Sequence, residues 1–295
     1  VCPNDNVREA SPTTVVEEAF REAKRLDALF TTYSSQGPVI RLNKGAGLGF
    51  QTVPEQLVEI LLLSRSYTET TGGAFDVTVG PLLSLWRSAG QSGEVPSRSA
   101  IGEALTSVGS DKLEFQGTND VALRQPEMSL DLGGIAKGYA LDRVAHVLRE
   151  RGVGDALLNF GHSSLWALGS PGDTERWRLL LRWPSGQQIG LASFSDQAVS
   201  ISGTLSNTTT IEDRRYGNII DPRSGQPVGR DLLACVVGQN AAQAEVLSTA
   251  LLVIGELSGI ELLESIDGVE GMLIEANGGA WTTTGWKQAS RFSLL

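Results

Sequence analysis

The stretch "SLDLGGIAKGYALD", residues 129–142, sets Gly133, Gly134 and Gly138 around one cation, Lys137, where an apolar run gives way to helical spacing. Glycines free the backbone, a helix N-terminus presents unpaired amides, and a first-turn lysine adds charge. Together these make a general anion site. The stretch is not a Walker loop, which needs Gly-Lys-Ser/Thr after a longer loop, nor the dinucleotide fingerprint, whose glycines fall at other spacings. On this segment alone, an anion cradle and a tight turn with a solvated lysine fit equally well. In "AEVLSTAL", Glu245, Ser248 and Thr249 stand at i, i+3 and i+4 and so share one helix face. Carboxylate and hydroxyl oxygens suit a hard cation such as Mg²⁺. A solvated polar face is the alternative, against which Leu247, Ala250 and Leu251 bury that helix. In "TTGGAFDVTVGPL", Phe75 and Asp76 follow a glycine turn. A ring and a carboxylate side by side can stack on a heterocycle and accept its hydrogen bonds; the alternative is an aromatic filling the core.

Other chemistries are poorly served. The two histidines are His146, inside a helical pattern, and His162, in "NFGHSS". No aspartate at a fitting offset orients His162, so a serine hydrolase triad is disfavoured. Cys2 and Cys235 are too few for a cysteine metal site or a disulfide scaffold, and Cys235 in "LLACVVG" reads as buried strand filler.

These residues need elements to hold them. Helical periodicity covers residues 13–30, with Thr13 or Thr14 as cap, and "PEQLVEILLLSRSYTETTGG", which the glycines end. It also covers "PSRSAIGEALTSVG", "AKGYALDRVAHVLRERGV" and "AAQAEVLSTALLVIG". "FDVTV" turns toward strand or loop. "KLEFQGTNDVALRQPEMSLDLGG" alternates as a hairpin. In the second half, "DALLNFGHSSLWALG", "RWRLLLRWP", "QQIGLASFS", "QAVSISG" and "DLLACVVG" read as strands, "YGNIIDPRSGQPV" as an irregular loop, and "GVEGMLIEANGGAWTTTGW" as a closing hairpin. There is no repeat and no composition break. The expectation is an α+β fold over residues 1–295, one domain of two interleaved halves with mixed, largely antiparallel sheets.

Composition sets the outer bounds. The 295 residues are 41% hydrophobic and 20% charged, ordinary for a folded chain of this length. A net charge of -10 argues against nucleic acid as a partner, because phosphate backbones are bound by Lys and Arg. It leaves room for a small phosphorylated ligand held by local charge. The longest apolar stretch, around "LSTALLVIG", is too short to span a membrane. The Val-Cys start fits a processed protein or an excised domain; Cys2 near a processing site would suit a lipid anchor, but one residue does not establish that, and an ordinary terminal cysteine is the better reading.

Taken together and in order, "TGGAFDVTVGPLLSLW", "LDLGGIAKGYALD", "AVSISG", "NIIDPRSGQPV" and "AEVLSTALLVIG" resemble the ApbE family of FAD:protein FMN transferases. The likeness is clearest from Phe30 to Gly255. It implies an enzyme that binds FAD, splits its pyrophosphate with Mg²⁺, and attaches FMN through a phosphoester to a Thr or Ser of a target flavoprotein, releasing AMP. It also implies an extracytoplasmic, periplasmic or cell-envelope location with an N-terminal membrane anchor. By position, Tyr33 matches the aromatic against the flavin, and Ala74, Phe75 and Asp76 the turn that binds flavin and adenine. Asp131, Gly134 and Lys137 match the central cradle, and Ile219 to Asp221 the loop that touches FAD. The metal ligands implied are Glu245, Ser248 and Thr249, with a backbone carbonyl from Gly134 to Ala136.

Departures from the family pattern fall near the chemistry. Asn218 stands where the family has a histidine that assists the attacking hydroxyl, and an amide is no general base near neutral pH. His162 or Asp221 would have to serve in its place. Glu245 replaces an aspartate, one methylene shorter, and His162-Ser163 replaces Gly-Asp. The family's Met-Gly-Thr strand before the first helix has no match here. An alternative reading is therefore a non-catalytic FAD-binding protein of the same fold.

Overall fold

The structure, a computed structural model, describes residues 11–32, 36–172, 174–183, 185–205 and 207–294. Cys2 and Tyr33 lie outside the described residues. The first half runs through helices α1 (Pro12–Phe30) and α2 (Pro38–Lys44), strand β1 (Gln51–Thr52), and helices α3 (Glu55–Thr70), α4 (Gly80–Ser92) and α5 (Arg98–Thr106). Strands β2 (Leu113–Gln116) and β3 (Asp120–Leu123) and helix α6 (Ala136–Glu150) complete it. The second half opens with β4 (Ala156–Phe160), β5 (Ser164–Leu168), β6 (Trp177–Arg182), β7 (Gln188–Phe194) and β8 (Gln197–Gly203). It continues through β9 (Thr208–Ile211), β10 (Arg214–Gly217), β11 (Leu232–Gly238), α7 (Ala241–Ile254) and α8 (Glu256–Glu264). It ends with β12 (Glu270–Glu275), β13 (Ala280–Thr282), α9 (Trp286–Ser290) and β14 (Ser293–Leu294).

The centre is a six-stranded antiparallel sheet in the order β13-β12-β11-β8-β5-β4. Its middle strand, β11, is buried along all seven residues, and the period of two explains why. Leu232, Ala234 and Val236 pack toward α7 with Leu247 and Leu251, while Leu233, Cys235 and Val237 face a core shared with β6 and β7. Those two strands and β14 form a three-stranded sheet on the far side. An apolar strand covered on both faces shows no alternation in sequence, which is how "LLACVVG" reads. The first half folds around its own core. There Leu57, Ile60 and Leu61 of α3 meet Val121 and Leu123 of β3, and the cluster extends to Tyr139 of α6 and to Val246 and Ala250 of α7. Helices α6 and α7 thus join the two halves, and the observed class is the expected α+β.

Several boundaries differ from the sequence reading for local reasons. The cap of α1 is Ser11, whose side chain accepts from Thr14 N at 3.3 Å with Pro12 opening the helix, so Thr13 and Thr14 lie inside it. After the "FDVTV" turns comes α4, which the periodicity reading missed although Leu82, Trp86 and Ala89 give it a buried stripe. The short helices α2 and α8 and the β9–β10 hairpin were missed too. No helix among the described residues is long and apolar enough to cross a membrane.

Candidate functional site

A cleft of about 630 Å³ opens where α1, α4, α6, α7, the end of β8 and the 218–222 loop converge. That volume lies within the range of small-molecule and cofactor sites. Of the residues expected at a site, Ala74, Phe75, Asp76, Asp131, Gly134, Ala136, Lys137, Asn218, Ile219, Glu245 and Thr249 line it. Segments far apart in sequence therefore meet around one space.

The floor is built from α6 and α7. Gly138 lets the two helices touch, because a Cβ there would lie 2.5 Å from Ala241 C and 2.6 Å from Ala242 N. Asp142, one turn further along α6, caps α7 by accepting from Ala241 N at 2.7 Å and Ala242 N at 3.0 Å. Its burial pushes the carboxyl above the ordinary aspartate range. This close approach carries Glu245 of α7 to the start of α6. The Glu245 carboxylate is 4% exposed; Oε2 accepts from Gly138 N at 2.6 Å, and Oε1 accepts from Ser164 Oγ at 3.3 Å and pairs with Lys137 Nζ. Every oxygen of that buried anion has a partner, as burial of a charge demands. Lys137 also reaches Gly133 O at 3.2 Å, and its side chain remains 39% exposed.

The cradle above the floor is the 131–136 turn. Asp131 N donates to Val77 O at 2.7 Å, and Asp131 Oδ1 accepts from Gly133 N at 2.8 Å. Gly133 therefore spends its amide inside the turn. The amide of Gly134, which lines the cleft, has no partner among the described residues. Gly134 is also required by packing, since a Cβ there would sit 3.0 Å from the edge of the Phe75 ring and 3.7 Å from Thr249 Oγ1. Phe75 is 5% exposed, so it serves the core while bordering the cleft. Asp76 is committed to the protein: Oδ1 accepts from Thr78 N at 2.8 Å and Thr78 Oγ1 at 2.7 Å, and Oδ2 accepts from Ser110 N at 2.9 Å. Burial raises its pKa, with those bonds opposing.

Other expected residues sit outside the lining. Ser248 lies beneath it, bonded to Ser200 Oγ at 3.0 Å and Ser202 Oγ at 2.8 Å and donating to Glu245 O at 3.0 Å. Asp221 closes the next turn, accepting from Arg223 N and Nε, both at 2.9 Å. His162 is exposed at the tip of the β4–β5 hairpin with φ 61°, while its neighbours Phe160 and Ser163 line the cleft. Asn218 reaches the cleft rim as an exposed amide, its backbone N tied to Asn207 O at 3.1 Å.

The residue list from sequence omitted Ser163, Ser200, Ser202, Leu83, Arg87 and Asn207, all of which line the cleft. For Ser200 and Ser202 a signal existed: in "QAVSISG" they alternate at strand spacing and so share a face. For Arg87 the unrecognised α4 hid it, four residues beyond Leu83 on one helix face.

The oxygens around Lys137 decide whether a divalent cation fits. Among the described residues no three acidic, histidine or cysteine side chains gather as a metal site. What the cleft offers is the Glu245 carboxylate, the Thr249 hydroxyl, which donates to Glu245 O at 3.1 Å and keeps its lone pairs, and the carbonyls of the 134–136 turn. The chemistry is all-oxygen, as Mg²⁺ requires. The charge is already balanced, because Lys137 neutralises Glu245. A doubly negative diphosphate entering with the cation restores neutrality, so the donor set fits Mg²⁺ as part of a site shared with a diphosphate.

Comparison with known proteins finds relatives along most of the chain. The sequence model of the ApbE family matches residues 5–273. A FAD:protein FMN transferase of Klebsiella pneumoniae is 28% identical over 268 residues, spanning 89% of this chain and 83% of the relative. Among solved structures, an ApbE protein from Thermotoga maritima superposes with a TM-score of 0.86 at 26% identity, covering 96% of this chain and 93% of its own. The apo flavinyl transferase ApbE of Pseudomonas stutzeri gives 0.82 at 30% identity, covering 95% of this chain and 89% of its own.

Proposed function

The chain belongs to the ApbE family, and from that premise we propose that it is a flavin transferase that moves FMN from FAD onto a hydroxyl of a target flavoprotein. The observation that carries this reading is the convergence of the Gly134 turn, Lys137, Glu245 and Thr249 on one wall of a cleft of cofactor size. Relatives named for this reaction, spanning most of the chain, support it.

The reaction is a displacement at phosphorus. The acceptor oxygen of a Thr or Ser forms a bond to the FMN phosphorus, the bond from that phosphorus to the bridging oxygen breaks, and AMP departs with the electron pair. In such transfers, positioning and neutralisation supply most of the rate. Lys137 and the free Gly134 amide, beside the first turn of α6, are suited to hold the diphosphate oxygens. Glu245, Thr249 and a carbonyl of the 134–136 turn would hold Mg²⁺, which supplies Lewis-acid neutralisation of the leaving oxygens. Phe75 and Ile219 offer apolar edges to the rings. The acceptor proton has no histidine at 218 to receive it. Asn218 can only orient the hydroxyl by hydrogen bonding, and the proton passes to water or to the acceptor protein's own groups.

The reading extends to an extracytoplasmic location with an anchor at Cys2, which cell fractionation with and without a Cys2→Ser change would test. The activity itself is tested by incubating the protein with FAD, Mg²⁺ and a target domain carrying an acceptor Thr. The expected result is a target heavier by one esterified FMN and an equal amount of AMP. FAD binding without either product would reject the transferase and leave a flavin-binding protein.

A further inference from the structure

Glu245 and Lys137 are unequal partners. The carboxylate is 4% exposed and pinned by Gly138 N at 2.6 Å and by Ser164, whereas the lysine side chain is 39% exposed and, among the described residues, held otherwise only by Gly133 O at 3.2 Å. Moving the carboxylate would strip Gly138 N of its acceptor inside the helix contact. The ammonium needs only to rotate about a flexible stem that already borders the cleft. Lys137 is thus the mobile member of the pair.

We propose that Lys137 is a resident counter-ion that keeps a divalent cation out of the cleft until a diphosphate arrives. In the ligand-free protein its ammonium neutralises Glu245. An incoming diphosphate draws the ammonium away and frees the carboxylate to ligate a cation. The inference rests on the dinucleotide reading of the cleft and adds an order to it: cation and diphosphate bind together, each tightening the other by the same factor, as linkage requires. It also gives Lys137 a role distinct from static phosphate binding, since removing it should strengthen cation binding when no nucleotide is present.

The test follows Mn²⁺ by the loss of its free-ion paramagnetic resonance signal, with FAD binding read in parallel by quenching of flavin fluorescence and no acceptor protein added. Saturating FAD should tighten Mn²⁺ binding to the unaltered protein at least tenfold. Without FAD, Lys137→Met should bind Mn²⁺ at least tenfold more tightly than the parent and lose most of the FAD dependence. Lys137→Gln, which keeps a hydrogen-bond donor beside Glu245, repeats the measurement should Lys137→Met fail to fold. A merely structural ion pair would leave Mn²⁺ binding unchanged or weaker in these variants, and that result would overturn the proposal. Equal Mn²⁺ affinity with and without bound FAD in the parent would overturn it independently of any variant. Failure of FAD to bind at all would remove the dinucleotide reading along with it.

Discussion

Replacing Gly138 by Ala tests the contact on which the cleft floor depends. The added Cβ would lie 2.5 Å from Ala241 C and 2.6 Å from Ala242 N, all backbone of the first turn of α7, so no side chain can step aside. Restoring an ordinary contact of about 3.5 Å requires the helices to part by roughly 1 Å. Three bonds span that gap: Asp142 to Ala241 N at 2.7 Å, Asp142 to Ala242 N at 3.0 Å, and Gly138 N to Glu245 at 2.6 Å. Each would stretch past 3.5 Å. Overpacking costs about 1–3 kcal/mol and weakened bonds to charged groups add about 1 kcal/mol, so a loss of about 2–4 kcal/mol is expected. At about 2–4 °C per kcal/mol, the melting temperature should fall by roughly 4–16 °C. Gly102, exposed on α5 with no atom within 4 Å of a Cβ, is the control: Gly102→Ala should gain about 0.5–1 kcal/mol from helix propensity alone. Urea unfolding of both variants decides it. A Gly138→Ala protein within about 1 kcal/mol of the parent would refute the reasoning, because the helices would then be free to slide.

Other outcomes follow from individual groups. Burial lifts the Asp142 pKa above its unfolded value, so over the pH window just above the ordinary aspartate value the folded form holds the extra proton. Stability therefore falls as pH rises through that window. Asp142→Asn should flatten this slope in urea midpoints taken from acid to neutral pH, while costing about 1–3 kcal/mol at Ala242 N, left without an acceptor; an unchanged slope would count against the assignment. Cys235 is fully buried, with its thiol pushed up to about 12, so alkylation mapped by mass spectrometry should reach it only after unfolding. Rapid labelling of the native protein would mean that β11 opens. Asn218→His places a titratable base at the cleft rim and should raise the FMN transfer rate by about 10²-fold, the lower end for general-base assistance. An unchanged rate would show that proton removal from the hydroxyl is not limiting.

Helices with long amphipathic stripes were legible in the sequence, and so was the burial of α7, because Leu247, Ala250 and Leu251 leave it little polar surface. The short α2 and α8 have too few turns to display a period, and α4 was hidden by its Gly-Pro start. Within the site, spacing brought Glu245, Ser248 and Thr249 to one helix, but only tertiary structure sorts them. Ser248 turns to serines of β8, 48 and 46 residues away, while Glu245 pairs with a lysine 108 residues away. Asp76 misled for the same reason. Its acceptors look available in sequence, yet one is taken by Ser110, 34 residues on. Residue type and spacing indicate which groups could do chemistry, whereas hydrogen bonds across the fold decide which are already engaged.

That division orders the site itself. The groups that would hold a diphosphate and its cation rest on buried, partnered supports: Glu245 on Gly138 and Ser164, and the 131–136 turn on Val77. Those near the acceptor side, Asn218 and His162, are exposed and bonded mainly through their backbone. A change among the supports must be felt as lost stability, because an orphaned buried group costs about 1–3 kcal/mol or more. At the exposed rim the same kind of change costs the fold little and acts on rate alone. Substitution can therefore proceed at the rim without disturbing the cradle, and Asn218 occupies such a position.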